Sequence, residues 1–371
     1  MTPADLMQGL PGDLIAAAIP VAFIMFVVLN FGGLLTWVER KQSAIMQDRI
    51  GANRASIFGI TALGLFHPLA DTLKMLTKED FRPARADRLL FELAPAVSVF
   101  FALVAFASIP FGDTLQVAGR AVPLQAVTLN VGVLYVFAML SLGVYGVMMA
   151  GWSSANNYAL LGGQRAAALM ISAEIAIGAS IMGVVMIHGS LNLMDIVRGQ
   201  GHLFWGWLPA WGIVTQPLAF ILFVTAGIAA TKRIPFDMPE GESEIIGYFV
   251  EYSGMKFGMF LMTDMVETIV LAGLSTSLFL GGWQIPYLFA EGFKFPWGAG
   301  LALAPWLVTL LQVGAFVGKV AVVIFVLMLI RWTLPRFRYD QAMRLGWLGL
   351  FPLAIANIVL TGLVLAAWGN G

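Results

Sequence analysis

GIVTQPLAFILFVTAGIAAT at residues 212–231 and GMKFGMFLMTDMVETIVLAGLSTSLFLG at 254–281 are two apolar windows of bilayer length, and the acidic stretch IPFDMPEGESEIIGYFVEYS at 234–253 joins them. On either side of this unit comparable windows recur near 13–37, 93–111, 127–150, 166–188, 304–331 and 346–368, which gives eight expected spans. The 371-residue chain is 59% hydrophobic and only 11% charged, with no net formal charge. Its mean hydropathy of +0.85 excludes a water-soluble globule. The expected fold is an all-α polytopic membrane protein, a single transmembrane helical domain over residues 1–371.

The loops set the expected orientation. Lys and Arg concentrate in the linkers near 38–92, 151–165, 232–253 and 332–345, so these face inward and both termini face away from the cytoplasm or matrix. The first basic residue is Arg40, so the opening apolar run lacks the basic start of a cleaved signal and is expected to stay as a helix. In the longest linker a helix beginning near Pro68 puts Phe66, Leu69, Leu73 and Leu76 on one face and Asp71, Lys74 and Lys78 on the other. That pattern predicts an amphipathic helix lying in the interface, either as an anchor or framing a lateral opening for an amphiphile. Trp205, Trp207, Trp211, Trp283 and Trp297 are expected in the outer aromatic belt.

Cysteine is absent, which removes disulfides, thiolate zinc sites, Cys-ligated iron–sulfur clusters and thiol catalysis. His67, His188 and His202 are too scattered for a spacing argument about haem, and no metal site is expected. No glycine-rich phosphate loop stands at a strand-to-helix junction, and the neutral balance gives no footing for nucleic acid.

The charges that remain are where chemistry is expected. Asp237, Glu240, Glu242, Glu244 and Glu251 crowd the linker at 232–253. If a helix beginning near Pro239 runs through it, Glu240, Glu244 and Glu251 share one face, with Glu242 opposite. Carboxylates crowded in a low dielectric do not all stay ionised, so such a cluster stores or relays protons; a solvated acidic loop docked on a basic partner is the competing reading. Inside the expected spans lie Glu174, Asp264, Glu267 and Lys319. Each costs about 2.5–3.5 kcal/mol on insertion scales, so they should face a polar interior. They predict either a proton path or a structural ion pair of Lys319 with one of the carboxylates.

Six blocks carry a resemblance: ERKQSAIMQDRIGANR at 39–54, LADTLKMLTKED at 69–80, GWSSANNYALLGGQRAAALMISAE at 151–174, RIPFDMPEGESE at 233–244, EYSGMKF at 251–257 and PRFRYDQ at 335–341. In order and spacing they resemble the family of the membrane-embedded H subunit of respiratory complex I, the bacterial counterpart of the first mitochondrially encoded subunit. That resemblance implies a membrane subunit of a proton-translocating NADH:quinone oxidoreductase, inactive alone, in a bacterial inner or a mitochondrial inner membrane. It would form much of the chamber through which quinone, as substrate, reaches the redox centre. Flavin and iron–sulfur clusters would reside in peripheral-arm partner subunits, with other membrane-arm subunits alongside and no cofactor bound by this chain. By the same resemblance Arg40, Arg49, Asp71 and Lys74 match positions near the quinone passage, Glu240, Glu242, Glu244 and Glu251 the acidic loop, and Glu174 and Asp264 carboxylates further along the proton path. Two departures stand out: Ala230 where the family commonly has Glu, and Glu267 added one turn after Asp264. The alternative is the equivalent anchor subunit of a membrane-bound hydrogenase or ferredoxin-linked complex.

Overall fold

The computed structural model describes residues 3–117, 120–204, 207–241, 244–289, 292–294 and 300–368. Its helices, in chain order, are α1 (Pro3–Met46), α2 (His67–Thr77), α3 (Arg88–Ala105), α4 (Gly132–Ser153), α5 (Asn157–His188), α6 (Leu193–Gly199), α7 (Gly212–Thr215), α8 (Pro217–Ala230), α9 (Gly254–Phe279), α10 (Pro305–Thr333), α11 (Tyr339–Arg344) and α12 (Phe351–Trp368). Among the described residues, six helical segments are long and apolar enough to cross a membrane. The protein is an all-α, multi-pass membrane protein, with short antiparallel hairpins between helices, such as Thr114–Val117 against Arg120–Pro123.

Local signals explain the helix starts. The carboxylate of Asp87 accepts from the amide of Leu90 at 3.0 Å to open α3, Asn156 accepts from Tyr158 at 2.9 Å to open α5, and Asn192 accepts from Met194 at 3.0 Å to open α6. The window expected as one span at 212–231 is divided into α7 and α8 at Gln216 (φ −137°, ψ 59°). Pro217 is the cause, because its ring disfavours helical backbone at the residue before it. The side-chain amide of Gln216 is held in turn by Asn357 and Thr361, each at 2.8 Å. The last window also differs, since a π turn at Leu345–Leu350 joins α11 to α12.

Small residues set how closely the helices pack. Gly146 of α4 lies where a Cβ would come within 2.7 Å of the Ser98 amide on α3, the close backbone approach that Gly permits between membrane helices. The most enclosed helix is α9, buried almost continuously from Met265 to Phe279 and packed against α1, α3 and α10. Asp264 and Glu267 therefore sit in the protein interior rather than against lipid. Trp283, expected in the outer belt, is instead 1% exposed and part of the main core; the chain turns back at Gly281 and Gly282 and carries it inward. Trp205 and Trp297 lie outside the described residues.

Candidate functional site

The helix expected from Pro239 does not form. Described residues between Thr231 and Ser253 run as turns, with Ile246 (φ 70°) and Gly247 (φ 124°) in left-handed backbone. Glu240, Glu244 and Glu251 consequently share no helical face, and the loop sends each to a different partner. Glu244 meets Arg165 of α5 at 2.8 Å, and its side chain stays 44% exposed. Glu251 accepts from the Asn156 side-chain amide at 2.7 Å. Glu242 lies outside the described residues.

Glu240 turns inward. It is half-buried and within hydrogen-bonding reach of the Asp264 carboxyl on α9. Burial pushes its carboxyl well above the usual range, and the charges of Asp264 and Asp237 push the same way against the pull of Lys232. Burial also raises Asp237, opposed by Arg336, whose guanidinium lies 2.7 Å from its Oδ2.

Lys232, which is not among the expected site residues, is the hub. Its Nζ stands 3.3 Å from Asp264 Oδ1 and 3.4 Å from Glu267 Oε2, and its side chain is 1% exposed. Burial alone would lower its pKa, but Glu267, Asp264 and Glu240 outweigh this, so the ammonium holds its proton above the ordinary lysine range. The ion pair expected for Lys319 therefore belongs to Lys232. Lys319 donates to the backbone carbonyls of Leu280 (2.7 Å), Gly282 (3.0 Å) and Gln284 (2.6 Å), with the Trp211 ring 4.3 Å away.

Beyond Glu267 opens a cavity of about 30 Å³, lined by Glu174, Ala230, Thr231 and Glu267 among apolar neighbours that include Phe137 and Leu271. It has the volume of one or two waters, although its wall is almost wholly apolar. Glu174 also lies within reach of the Ser141 hydroxyl. Polar groups thus follow one another from the loop into the bundle: Glu240, Asp264, Lys232, Glu267, the cavity and Glu174. Beside this row Glu39 of α1 is buried between Arg331 of α10, in direct contact, and Arg233, 3.7 Å away. The sequence offers a signal for these basic partners, because Lys232 and Arg233 open the acidic motif itself.

Of the four residues expected near a passage, Asp71 and Lys74 stand one turn apart on α2. Arg40 and Asp71 form an ion pair at 2.6 Å that ties α1 to α2. Arg49 is exposed and donates to Gln47 at 2.7 Å, and Lys74 is exposed on α2. The expected surface helix does form as α2, with Leu69, Leu73 and Leu76 all exposed. It is pinned to α9 at its far end, where Gly254 (φ 58°) places its Cα so that a Cβ would stand 3.3 Å from the carbonyls of Met75 and Lys78.

A family model described as NADH dehydrogenase matches residues 19–362. The chain belongs to the NADH dehydrogenase family. It is 45% identical over 366 residues to the first NADH-quinone oxidoreductase H subunit of Geobacter metallireducens, covering 98% of this chain and 99% of the relative. Over 360 residues it is 45% identical to the second NADH-quinone oxidoreductase H subunit of Geobacter sulfurreducens, covering 97% and 99%. The NADH-quinone oxidoreductase H subunit of Thermomicrobium roseum is 45% identical over 356 residues, covering 95% and 96%. The family is the one that the six sequence blocks point to, and it makes this member a membrane subunit of an oxidoreductase complex.

Proposed function

We propose that this chain couples quinone reduction to proton translocation in a proton-pumping NADH:quinone oxidoreductase. The relatives, each named as the H subunit of an NADH-quinone oxidoreductase, support the assignment to that complex over the hydrogenase-type alternative. The observation that carries the coupling is the succession of Glu240 in the loop, Asp264, Lys232 and Glu267, which ends at a cavity that Glu174 also lines. A proton needs only carboxylates, Lys and water within hydrogen-bond reach to move along such a row. Charge appearing near the loop when quinone is reduced shifts the proton affinity of Glu240, and the shift passes inward by contact.

In this reading the loop end faces the cytoplasm or matrix and both termini face the opposite side of a bacterial inner or mitochondrial inner membrane. The Arg40–Asp71 pair and the exposed apolar row of α2 border the quinone passage, together with Arg49 and Lys74. This chain binds no redox cofactor; peripheral-arm subunits supply flavin and iron–sulfur clusters, and other membrane-arm subunits extend the proton path. Glu244 and Glu251 tie the loop to α5 and its N-cap and so hold it against the bundle.

The test is Glu240→Gln in the assembled complex in sealed vesicles. NADH-driven reduction of ferricyanide should persist while quinone-dependent proton translocation falls. Equal loss of both would mean failed assembly, and undiminished translocation would refute the role of Glu240.

A further inference from the structure

Lys232 lies almost equally far from two carboxylates, 3.3 Å from Asp264 Oδ1 and 3.4 Å from Glu267 Oε2, and its one hydrogen bond to either, to Glu267 Oε1, is long at 3.5 Å. A closed charge-assisted bond would measure about 2.7–2.9 Å. Asp264 Oδ1 and Glu267 Oε2 meet that ammonium at ion-pair distance without forming a hydrogen bond among the described residues. Buried polar atoms left short of partners call for an explanation, because leaving them so is costly. Here one cation in contact serves two carboxylates at a buried site, so burial favours taking up a proton on one of them.

The two carboxylates also look in different directions. Asp264 faces Glu240 of the loop, whereas Glu267 lines the cavity that Glu174 shares. Ala230 and Gly227 line that cavity, so small side chains leave free space beside Glu267. Of the other charges around the site, Arg331 is paired with Glu39 and Arg336 with Asp237, whereas Arg233, 3.7 Å from Glu39, also lends its field to Asp264, Glu240 and Glu267.

We propose that Lys232 is a counter-ion shared between Asp264 and Glu267, which closes on whichever carboxylate has not taken up a proton. This rests on the proton-coupling role proposed above and adds a positioning residue to it. A proton passed from Glu240 to Asp264 cancels the Asp264 charge and releases the ammonium to Glu267. Once Asp264 has returned its proton to Glu240, a proton passed from Glu174 to Glu267 by way of the cavity cancels that charge instead and returns the ammonium to Asp264. In both steps one O–H bond breaks on the donor and one forms on the acceptor, and Lys232 keeps its own proton throughout. The ammonium thereby makes the loop-side and cavity-side carboxylates respond to each other in opposition.

The experiment compares Lys232→Met, Lys232→Arg, Glu267→Gln and the double variant Lys232→Met/Glu267→Gln in assembled complex in vesicles, with ferricyanide reduction as the assembly control. Lys232→Met should lower protons translocated per NADH roughly tenfold, because both carboxylates then compete for protons without a counter-charge. Glu267→Gln should itself impair translocation, because Glu267 takes up a proton in the cycle, but the double variant should recover at least half of the melting temperature that Lys232→Met loses, the non-additivity expected of a charge pair. Lys232→Arg should keep most of the ratio. If Lys232→Met fails to assemble and the double variant assembles, charge balance is supported by that rescue. If both fail, Glu267→Gln alone decides: loss of one infrared protonated-carboxyl band that rises and falls with quinone reduction supports the proposal. No rescue in an assembled double variant, or an unchanged band in Glu267→Gln, overturns it. Impaired translocation in Glu240→Gln with normal translocation in Lys232→Met would overturn this inference alone, whereas normal translocation in Glu240→Gln would count against the underlying reading.

Discussion

Two lysines lie within the bundle of this protein, and their surroundings are opposites. Lys232 is met by the carboxylates of Asp264 and Glu267, with Glu240 behind them. Lys319 is met by three backbone carbonyls and an indole face. Carbonyl dipoles and a ring quadrupole stabilise a cation but take up no proton, so the Lys319 site is the same at every pH at which its ammonium persists. Carboxylates exchange protons, so the Lys232 site changes its charge with its surroundings. Intramembrane charge alone therefore does not mark a proton path. What marks it is whether the partner titrates.

Substitutions probe this contrast, and Lys232→Met should have the largest effect. It strands buried carboxylates, so the complex should lose stability by about 3–5 kcal/mol along with its proton translocation, read by thermal melting and by vesicle acidification. Lys319→Met should cost less, about 1–3 kcal/mol, because it leaves the carbonyls of Leu280, Gly282 and Gln284 without their donor. Its melting temperature should fall while protons per NADH stay unchanged. Gly162→Ala on α5 should act on the loop itself: a Cβ there would lie 2.9 Å from the Tyr248 amide and 3.3 Å from the Pro239 carbonyl. The expected cost is about 1–3 kcal/mol, with a drop in quinone-linked activity as the loop is pushed off α5.

Glu240 predicts a pH dependence. Its folded-state pKa is raised, chiefly by burial, so the folded state holds a proton that the unfolded chain has released. The stability associated with that proton is complete below the ordinary carboxyl range and disappears as pH rises through the raised value. Glu240→Gln, neutral at every pH, should flatten that fall in a series of melting curves. The smallest effect is expected from Arg165→Ala, because its partner Glu244 is largely solvated. The change should be below about 1 kcal/mol.

Membrane-spanning character is plain in the sequence because twenty-residue apolar windows admit few other structures. The interfacial helix at α2 is legible for a similar reason, from one row of leucines opposite charges. The break at Gln216 is available too, in the proline that follows it. The acidic loop reads as helix wrongly, because spacing places Glu240, Glu244 and Glu251 on one face only if the backbone stays helical, and the left-handed backbone at Ile246 and Gly247 prevents that. The buried carboxylates are legible as a set, but their partners are not. Which lysine meets Asp264 depends on how α8 and α9 pack, a long-range fact that no local pattern contains. By sequence Lys232 is a loop residue at the edge of a span, and the turn after α8 folds it back under α9.

The decisive measurement is protons translocated per NADH oxidised for Lys232→Met and Lys319→Met side by side, in assembled complex in sealed vesicles and normalised to ferricyanide reduction. A collapsed ratio is expected for Lys232→Met and an unchanged ratio for Lys319→Met. A collapsed ratio for Lys319→Met with an intact one for Lys232→Met would contradict the assignment of the proton path to the lysine with titrating partners.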